Sequence, residues 1–400
     1  MNPSISKLAG IAGKTTRRIL GLMSGTSLDG LDIALCEISH SGKETTLDLL
    51  QFETQAYQSS TLEHLKEITS VAQADLEMVC LMNAWLGDLH GELVLKALDQ
   101  WKLHPSDIDC IASHGQTIYH APKSKHGRDD FPNATLQIGD GDHIAAKTGI
   151  LTMSDFRQKH TAAGGEGAPM AGFVDEMLFG DAHKSRILLN IGGIANLTWL
   201  PAGDPDRHSV MTTDTGPGNT LIDAAVRKYF AKNYDEDGDI ATAGKVDRDL
   251  LNELKEHSFF KRSLPKTTGP EIFNLDWVLR TLSSSQIAIP DPEDLVATLT
   301  RLTAETIAET IHSLEDSDDR IEIFVSGGGV HNKLLMKWLK EHLPGYSIKN
   351  FKKLGLNPDA KEAALFAVLA NEALAGKGFP MEKQAGEKQR INFGKISFPE

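Results

Sequence analysis

Cysteine is scarce in this 400-residue chain: only Cys36, Cys80 and Cys110 occur, an odd number without CxxC spacing. That excludes a disulfide framework and a cysteine-held zinc cluster, and it is the usage expected of a reducing, cytoplasmic compartment. Long apolar runs are missing too. No stretch approaches the roughly 18 residues a spanning helix needs, so no membrane partner is expected. Positive charge is in deficit, with 41 Lys+Arg against 55 Asp+Glu and a formal charge of −14. Such a field repels a phosphate backbone and argues against nucleic acid as a partner. A true P-loop is also lacking: Gly10 to Thr15 resembles the end of GxxxxGK[ST], but Leu8 stands where the first glycine belongs.

What is present suits a globular protein, with 40% hydrophobic and 24% charged residues and 35 glycines against 16 prolines. The length exceeds what one core usually organises, which favours two lobes around a cleft. Residues 1 to 18 carry Lys7, Lys14, Arg17 and Arg18 but no acid, and without an amphipathic period they read as a frayed basic tail. Arg17 to Ile38 reads as strand, glycine turn, strand, and residues 186 to 200 repeat that plan, which hints at a duplicated lobe. Helical patterns cover about Thr61 to Trp101 and Pro292 to Leu314, the second with an apolar stripe to bury. Loops are expected at 121–133, 201–209, 234–239, 284–292 and 315–320.

Three glycine turns follow strand patterns. The first, GLMSGTSLDGLD from Gly21 to Asp32, combines glycines that let backbone approach an anion with the hydroxyls of Ser24, Thr26 and Ser27. Taken alone it is equally an ordinary hairpin loop. The second holds Gly192 and Gly193; the third, Ser326 to Asn332, leads into a helix whose N-terminus suits a phosphate or a nucleotide face. Together they suggest nucleotide binding.

Asp214, in DTGPGN at an expected strand end, is either the cap or turn former of the next helix or a general base. Ser113, His114, Gly115, Gln116 and Thr117 end a strand-like run and offer donors to a sugar, with His114 reading as a loop histidine rather than a metal ligand. Asp155, Phe156 and Arg157, then Gly164 to Pro169, form a further polar segment. Asp140 and Asp142 read as a solvated turn in preference to a Mg²⁺ site.

GLMSGTSLDGLD, SHGQT, SDFR, GGEGAP, LNIGGIANLT, DTGPGN and VSGGGVHN, in that order over about residues 19 to 370, resemble the anhydro-N-acetylmuramic acid kinase family. The resemblance implies an α/β fold of two actin-like, ribonuclease H-like lobes, each a mixed sheet flanked by helices, with an interlobe active-site cleft. It divides the chain into a tail (1–18), lobe I (19–156, joined by 388–400) and lobe II (157–387). It implies ATP as co-substrate with Mg²⁺, whose ligands stay unassigned, and an amino-sugar substrate. The 1,6-anhydro ring would be opened by water and O6 phosphorylated, in peptidoglycan recycling, and a homodimer is implied. By motif, Gly25, Thr26, Ser27, Leu28, Asp29, Gly30, Leu31 and Asp32 would contact the ATP phosphates. Gly192, Gly193, Gly327, Gly328, Gly329 and Asn332 would line the nucleotide site, and Asp214 would activate water. Ser113 to Thr117, Asp155, Arg157 and Glu362 would meet the sugar, a guanidinium fork suiting its carboxylate. Gln158 and Lys159 stand where the family commonly has arginines, and Glu166 where it often has Gln. Rival readings are another sugar kinase of the same fold and a non-catalytic, nucleotide-switched protein.

Overall fold

The computed structural model describes residues 2–25, 28, 30–168, 170–203, 210–314, 321–382 and 388–400. Its strands are β1 (Thr16–Ser24), β2 (Gly30–Ser39), β3 (Thr46–Ala56), β4 (Cys110–Ala121), β5 (Ala134–Ile138), β6 (Thr152–Ser154) and β7 (Arg186–Ile191). There follow β8 (Ile194–Leu200), β9 (Met211–Pro217), β10 (Glu322–Ser326), β11 (Ser347–Asn350), β12 (Phe379–Glu382), β13 (Lys388–Ile391) and β14 (Lys395–Ser397). Two compact units form, one from Met1–Leu178 and Asp359–Glu400, the other from Phe179–Pro358. The sheet of the first runs β14-β6-β4-β1-β2-β3, with β5 on β4, and that of the second β11-β10-β7-β8-β9.

Both sheets share one plan: an antiparallel meander (β1-β2-β3, β7-β8-β9) extended by parallel strands (β4 and β6, β10 and β11). This is the duplicated, actin-like mixed-sheet architecture expected from the sequence. Alternation makes the meanders amphipathic, while the inner strands are buried on both faces, as Ile19, Leu20 and Leu22 of β1 and Ile187, Leu189 and Ile191 of β7 show.

The division of the chain differs from the sequence expectation. The helices Phe156–Ala162 and Lys361–Ala375 belong to the first unit. For the 361–375 helix the cause is close backbone packing: a Cβ on Gly21 of β1 would lie 1.8 Å from the carbonyl oxygen of Ala363, so only glycine lets that helix lie on the strand.

Residues 1–18 are not a frayed tail. Pro3–Ala12 is a helix with Pro3 in its first turn and Asn2 as N-cap, its side chain accepting from the Ser4 N–H at 2.8 Å. Buried Arg17 ties that helix down, donating to the carbonyls of Ile11 (2.9 Å), Ala12 (2.7 Å) and Lys14, and to Asn371 Oδ1 at 3.0 Å. The expected 61–101 helix is two, Ser59–Ile68 and Leu76–Gln100. The helix Pro292–His312 buries nearly its whole circumference rather than one stripe. Its buried Thr303 hydroxyl approaches the carbonyl oxygens of Pro217 (3.1 Å) and Gly218 (2.9 Å), which steadies the turn after β9. The loop at 315–320 and most of that at 201–209 lie outside the described residues.

Candidate active site

In the first unit, β1 and β2 form the expected hairpin; Thr26, Ser27 and Asp29 of its turn lie outside the described residues. Leu28, at φ 59°, donates its N–H to the Gly25 carbonyl at 3.3 Å and closes the turn. Leu28 and Leu31 are buried in the core, so their side chains pack rather than meet a nucleotide. A Cβ on Gly30 would lie 2.4 Å from the Gln55 carbonyl oxygen, so glycine is needed where β2 passes β3. Asp32 accepts from the Thr54 hydroxyl at 2.5 Å.

Ser113 to Thr117 do not end a strand; β4 runs straight through them. Ser113 and Gln116 have no exposed surface and His114 only 2%, so these side chains support the site from inside and do not offer the sugar the row of donors the sequence suggested. Gly115, at φ 74°, has no room for a side chain, since a Cβ would lie 2.5 Å from the Ile138 carbonyl oxygen. Thr117 is half-buried, 3.0 Å from Gln137 Nε2.

His114 is a buried strand histidine, not a loop one. Its Nδ1 lies 2.9 Å from the Gly115 carbonyl oxygen and its Nε2 accepts from Arg157 Nε at 2.8 Å, so the proton sits on Nδ1. Burial, aided by the Arg157 charge, lowers its pKa to about 3, and the imidazole stays neutral. Arg157 also reaches the Gly167 carbonyl at 3.4 Å. Burial lowers its pKa, and the charge of Glu362 opposes that.

Glu362 lies in the first turn of the 361–375 helix, placed there by the contact at Gly21. Burial raises its pKa, the Asp32 charge acts the same way, and Lys361 and Arg157 act against it. A carboxyl group whose ionisation a neighbouring carboxylate disfavours is suited to sharing a cation with it. Asp155 takes a left-handed conformation, φ 57°, and pairs with Lys395. A cavity of about 500 Å³ is lined by His114, Gly115, Asp140, Asp142, Ser154 and Asp155 among others. Asp140 in fact caps the helix Gly141–Thr148, accepting from the Asp142 N–H at 2.8 Å. Gln158 donates to the Thr135 carbonyl at 2.6 Å, Lys159 is exposed, and Glu166 accepts from Ser124 at 2.8 Å.

In the second unit the turns at Gly192–Gly193, Gly216–Gly218 and Gly327–Gly329 converge. The N–H groups of Gly218 (2.9 Å) and Thr220 (3.1 Å) reach the Gly193 carbonyl, and that of Asn219 reaches Gly192 at 2.8 Å. Gly327, at φ 83°, sits so close that a Cβ would lie 2.6 Å from Asn190 Oδ1 and 2.7 Å from the Ile191 carbonyl oxygen. A Cβ on Gly329 would meet the Ile191 side chain at 2.3 Å, whereas one on Gly328 would be in ordinary contact, 3.5 Å from Asn219 Nδ2. Asn332 serves its own helix: it is buried and its Oδ1 accepts from the Leu335 N–H at 2.9 Å, capping Lys333–His342 instead of facing a nucleotide.

Asp214 lies within edge strand β9, opposite Asn196, not at a strand end, and it does not cap the following helix. Its N–H donates to the Lys266 carbonyl at 2.9 Å and its Oδ2 accepts from the Thr268 N–H at 2.8 Å. Burial raises its pKa, and the Thr268 bond opposes this. The 266–268 segment escaped the sequence reading because backbone groups, which carry no residue signature, do the holding. Tyr57 and His90, buried behind the first turn, carried no motif signal at all.

Among the described residues no group of three or more His, Cys, Asp or Glu is arranged to hold a metal ion, and no helix is long and apolar enough to cross a membrane.

A family model described as anhydro-N-acetylmuramic acid kinase matches residues 17–399. Relatives of that name include one from Pseudoalteromonas atlantica, 48% identical with all of both chains covered. Another, from Caldanaerobacter subterraneus subsp. tengcongensis, is 39% identical over 98% of this chain and 100% of its own. Among solved structures the chain is similar to the activator of the 2-hydroxyisocaproyl-CoA dehydratase from Clostridium difficile with bound ADPNP. That match has a TM-score of 0.39 and 11% identity, and covers 89% of this chain and 95% of the other.

Proposed function

The chain belongs to the anhydro-N-acetylmuramic acid kinase family, and from that premise we propose which of its residues carry the reaction. The enzyme is an ATP-dependent sugar kinase that opens the 1,6-anhydro ring of anhydro-N-acetylmuramate and phosphorylates O6, yielding N-acetylmuramate 6-phosphate and ADP. Neither rival reading is favoured.

Asp214 is the general base. The observation that carries this assignment is its geometry: Thr268 occupies Oδ2, and partial burial keeps the carboxylate basic. Oδ1 takes a proton from water as the water oxygen bonds to C1. The C1–O6 bond breaks with its electron pair going to O6, which attacks the γ-phosphorus while the bond to the ADP oxygen breaks. Because O6 leaves onto phosphorus, one carboxylate suffices where an ordinary glycosidase needs two.

The turn from Gly25 to Asp32 holds the phosphates, and the turns at Gly192–Gly193 and Gly327–Gly329 receive the adenosine, a reading supported by the bare glycine backbone these turns present and by the room beside Gly328. Arg157, oriented by neutral His114, meets the sugar carboxylate, with Asp155 beside it. Asp32 and Glu362 would hold Mg²⁺, which when bound supplies neutralisation of phosphate charge. We place the enzyme in the cytoplasm as a homodimer.

Reaction in ¹⁸O-water tests the scheme. Label belongs on C1 of the sugar product; label in the phosphate would mean that water attacks phosphorus, and the scheme would fall.

A further inference from the structure

Behind the first turn lies a chain of buried polar side chains. Tyr57 OH is 2.8 Å from His90 Nε2 and donates to Ser24 Oγ at 2.8 Å. Ser24 Oγ donates to Gln116 Oε1 at 2.5 Å, and Gln116 Nε2 donates to the carbonyls of Gly25 and Thr117, both at 3.3 Å. His90 and Gln116 have no exposed surface, Ser24 has 1% and Tyr57 8%.

Chemistry fixes the direction of every link. Gln116 Oε1 only accepts, so Ser24 gives its one proton there and must accept from Tyr57. Tyr57, its proton spent, accepts from His90, which places the His90 proton on Nε2 and leaves Nδ1 bare. Nδ1 indeed has no partner. The chain therefore runs one way, from His90 to the Gly25 carbonyl, and that carbonyl also receives the Leu28 N–H that closes the turn. His90 is held at a fixed depth because Gly87 and Gly91, either side of it on its helix, pack against the 141–148 helix: a Cβ on Gly87 would lie 2.7 Å from the Asp140 carbonyl oxygen, and one on Gly91 2.8 Å from the Lys147 side chain.

We propose that Tyr57 and His90 are positioning residues for the phosphate-binding turn, acting through Ser24 and Gln116 to hold the Gly25 carbonyl inward. The proposal rests on the reading of Gly25 to Asp32 as the phosphate turn. His90 Nδ1 apart, each polar group of this chain of side chains is hydrogen-bonded, and a buried network of this kind rigidifies what it touches, so loss of one member loosens the turn while the core around it is retained.

The test uses the full chain, with calorimetric binding of ATP and of adenosine, KM for each substrate and the thermal midpoint. Tyr57→Phe keeps the ring and removes the hydroxyl, and with it the two links to Ser24 and His90. It should raise Kd and KM for ATP about five- to tenfold, as expected of one weakened hydrogen bond at the turn, and lower the thermal midpoint by a few degrees, while adenosine affinity and KM for the anhydro sugar hold. His90→Leu should do the same, and His90→Gln, which offers an N–H near the place of Nε2, should restore ATP affinity. Unchanged ATP affinity in Tyr57→Phe and His90→Leu, or equal weakening of ATP and adenosine, overturns the proposal. Ser27→Ala, in the turn itself, separates the two levels. If it leaves ATP affinity untouched, the phosphate-turn reading fails; if it weakens ATP while the relay variants do not, only the relay fails.

Discussion

Thr268 donates its backbone N–H to Oδ2 of Asp214 at 2.8 Å, although 54 residues separate them. The bond stabilises the carboxylate that burial destabilises, and burial prevails, leaving the pKa above its ordinary value of 3.8. A base acts in its ionised form, so kcat/KM should fall as pH drops through this raised pKa. Thr268→Pro removes the opposing donor and should move that acid limb to higher pH. A pH–rate profile in which the limb stays put, in a folded variant, would separate Thr268 from the tuning of Asp214.

The neighbouring glycines 327 and 328 should behave differently. Gly327→Val meets both a left-handed backbone and a clash with Asn190 and Ile191, so its thermal midpoint should drop sharply. Gly328→Val has room for its Cβ and should fold, losing ATP affinity only because its methyl groups intrude on the bound nucleotide. Thermal melts and ATP titrations of the two variants check the contrast.

Two buried histidines tie stability to pH. His90 and His114 titrate at about 3 in the fold, mainly through burial, against 6.5 when free. Below 6.5 the unfolded chain binds protons that the native state refuses, so stability falls on acidification until the folded pKa is reached. Each histidine contributes about 1.4 kcal/mol per pH unit in that window. Urea unfolding at pH 6 and pH 5 should show a slope shallower by about one proton in His90→Gln; an identical slope would contradict the neutral assignment.

Arg17→Ala should strip the N-terminal helix of its anchor. It leaves Asn371 and three carbonyls without their donor, at a cost on the order of 2–4 kcal/mol. Denaturant melts should register that loss while KM for ATP and for sugar stay unchanged, because Arg17 touches none of the proposed site.

Much of this was legible in the sequence, for physical reasons. Glycines at positions 192, 193 and 327 mark places where backbone meets backbone, and the repeat of strand, glycine turn, strand announced the two sheets. The less legible parts depended on tertiary contacts. Asp214 sits within a strand because β9 continues past it, and Ser113 and Gln116 turn inward because β4 does the same. The basic N-terminus is a helix because Arg17 finds four acceptors, one of them 354 residues away. Asn332 goes to a helix cap, an allocation its motif does not reveal. Tyr57 and His90 stand in no motif, and only their hydrogen bonds connect them to the turn.

The role of Asp214 is tested most directly by the rate of ADP release from Asp214→Asn at saturating ATP and anhydro-N-acetylmuramate. Asparagine keeps the shape and can still accept from Thr268, but it cannot take a proton from water. General-base catalysis contributes about 10²- to 10⁴-fold, so kcat should fall by at least a hundredfold or so with ATP affinity retained. A kcat close to that of the unmodified enzyme would contradict the assignment and require another base.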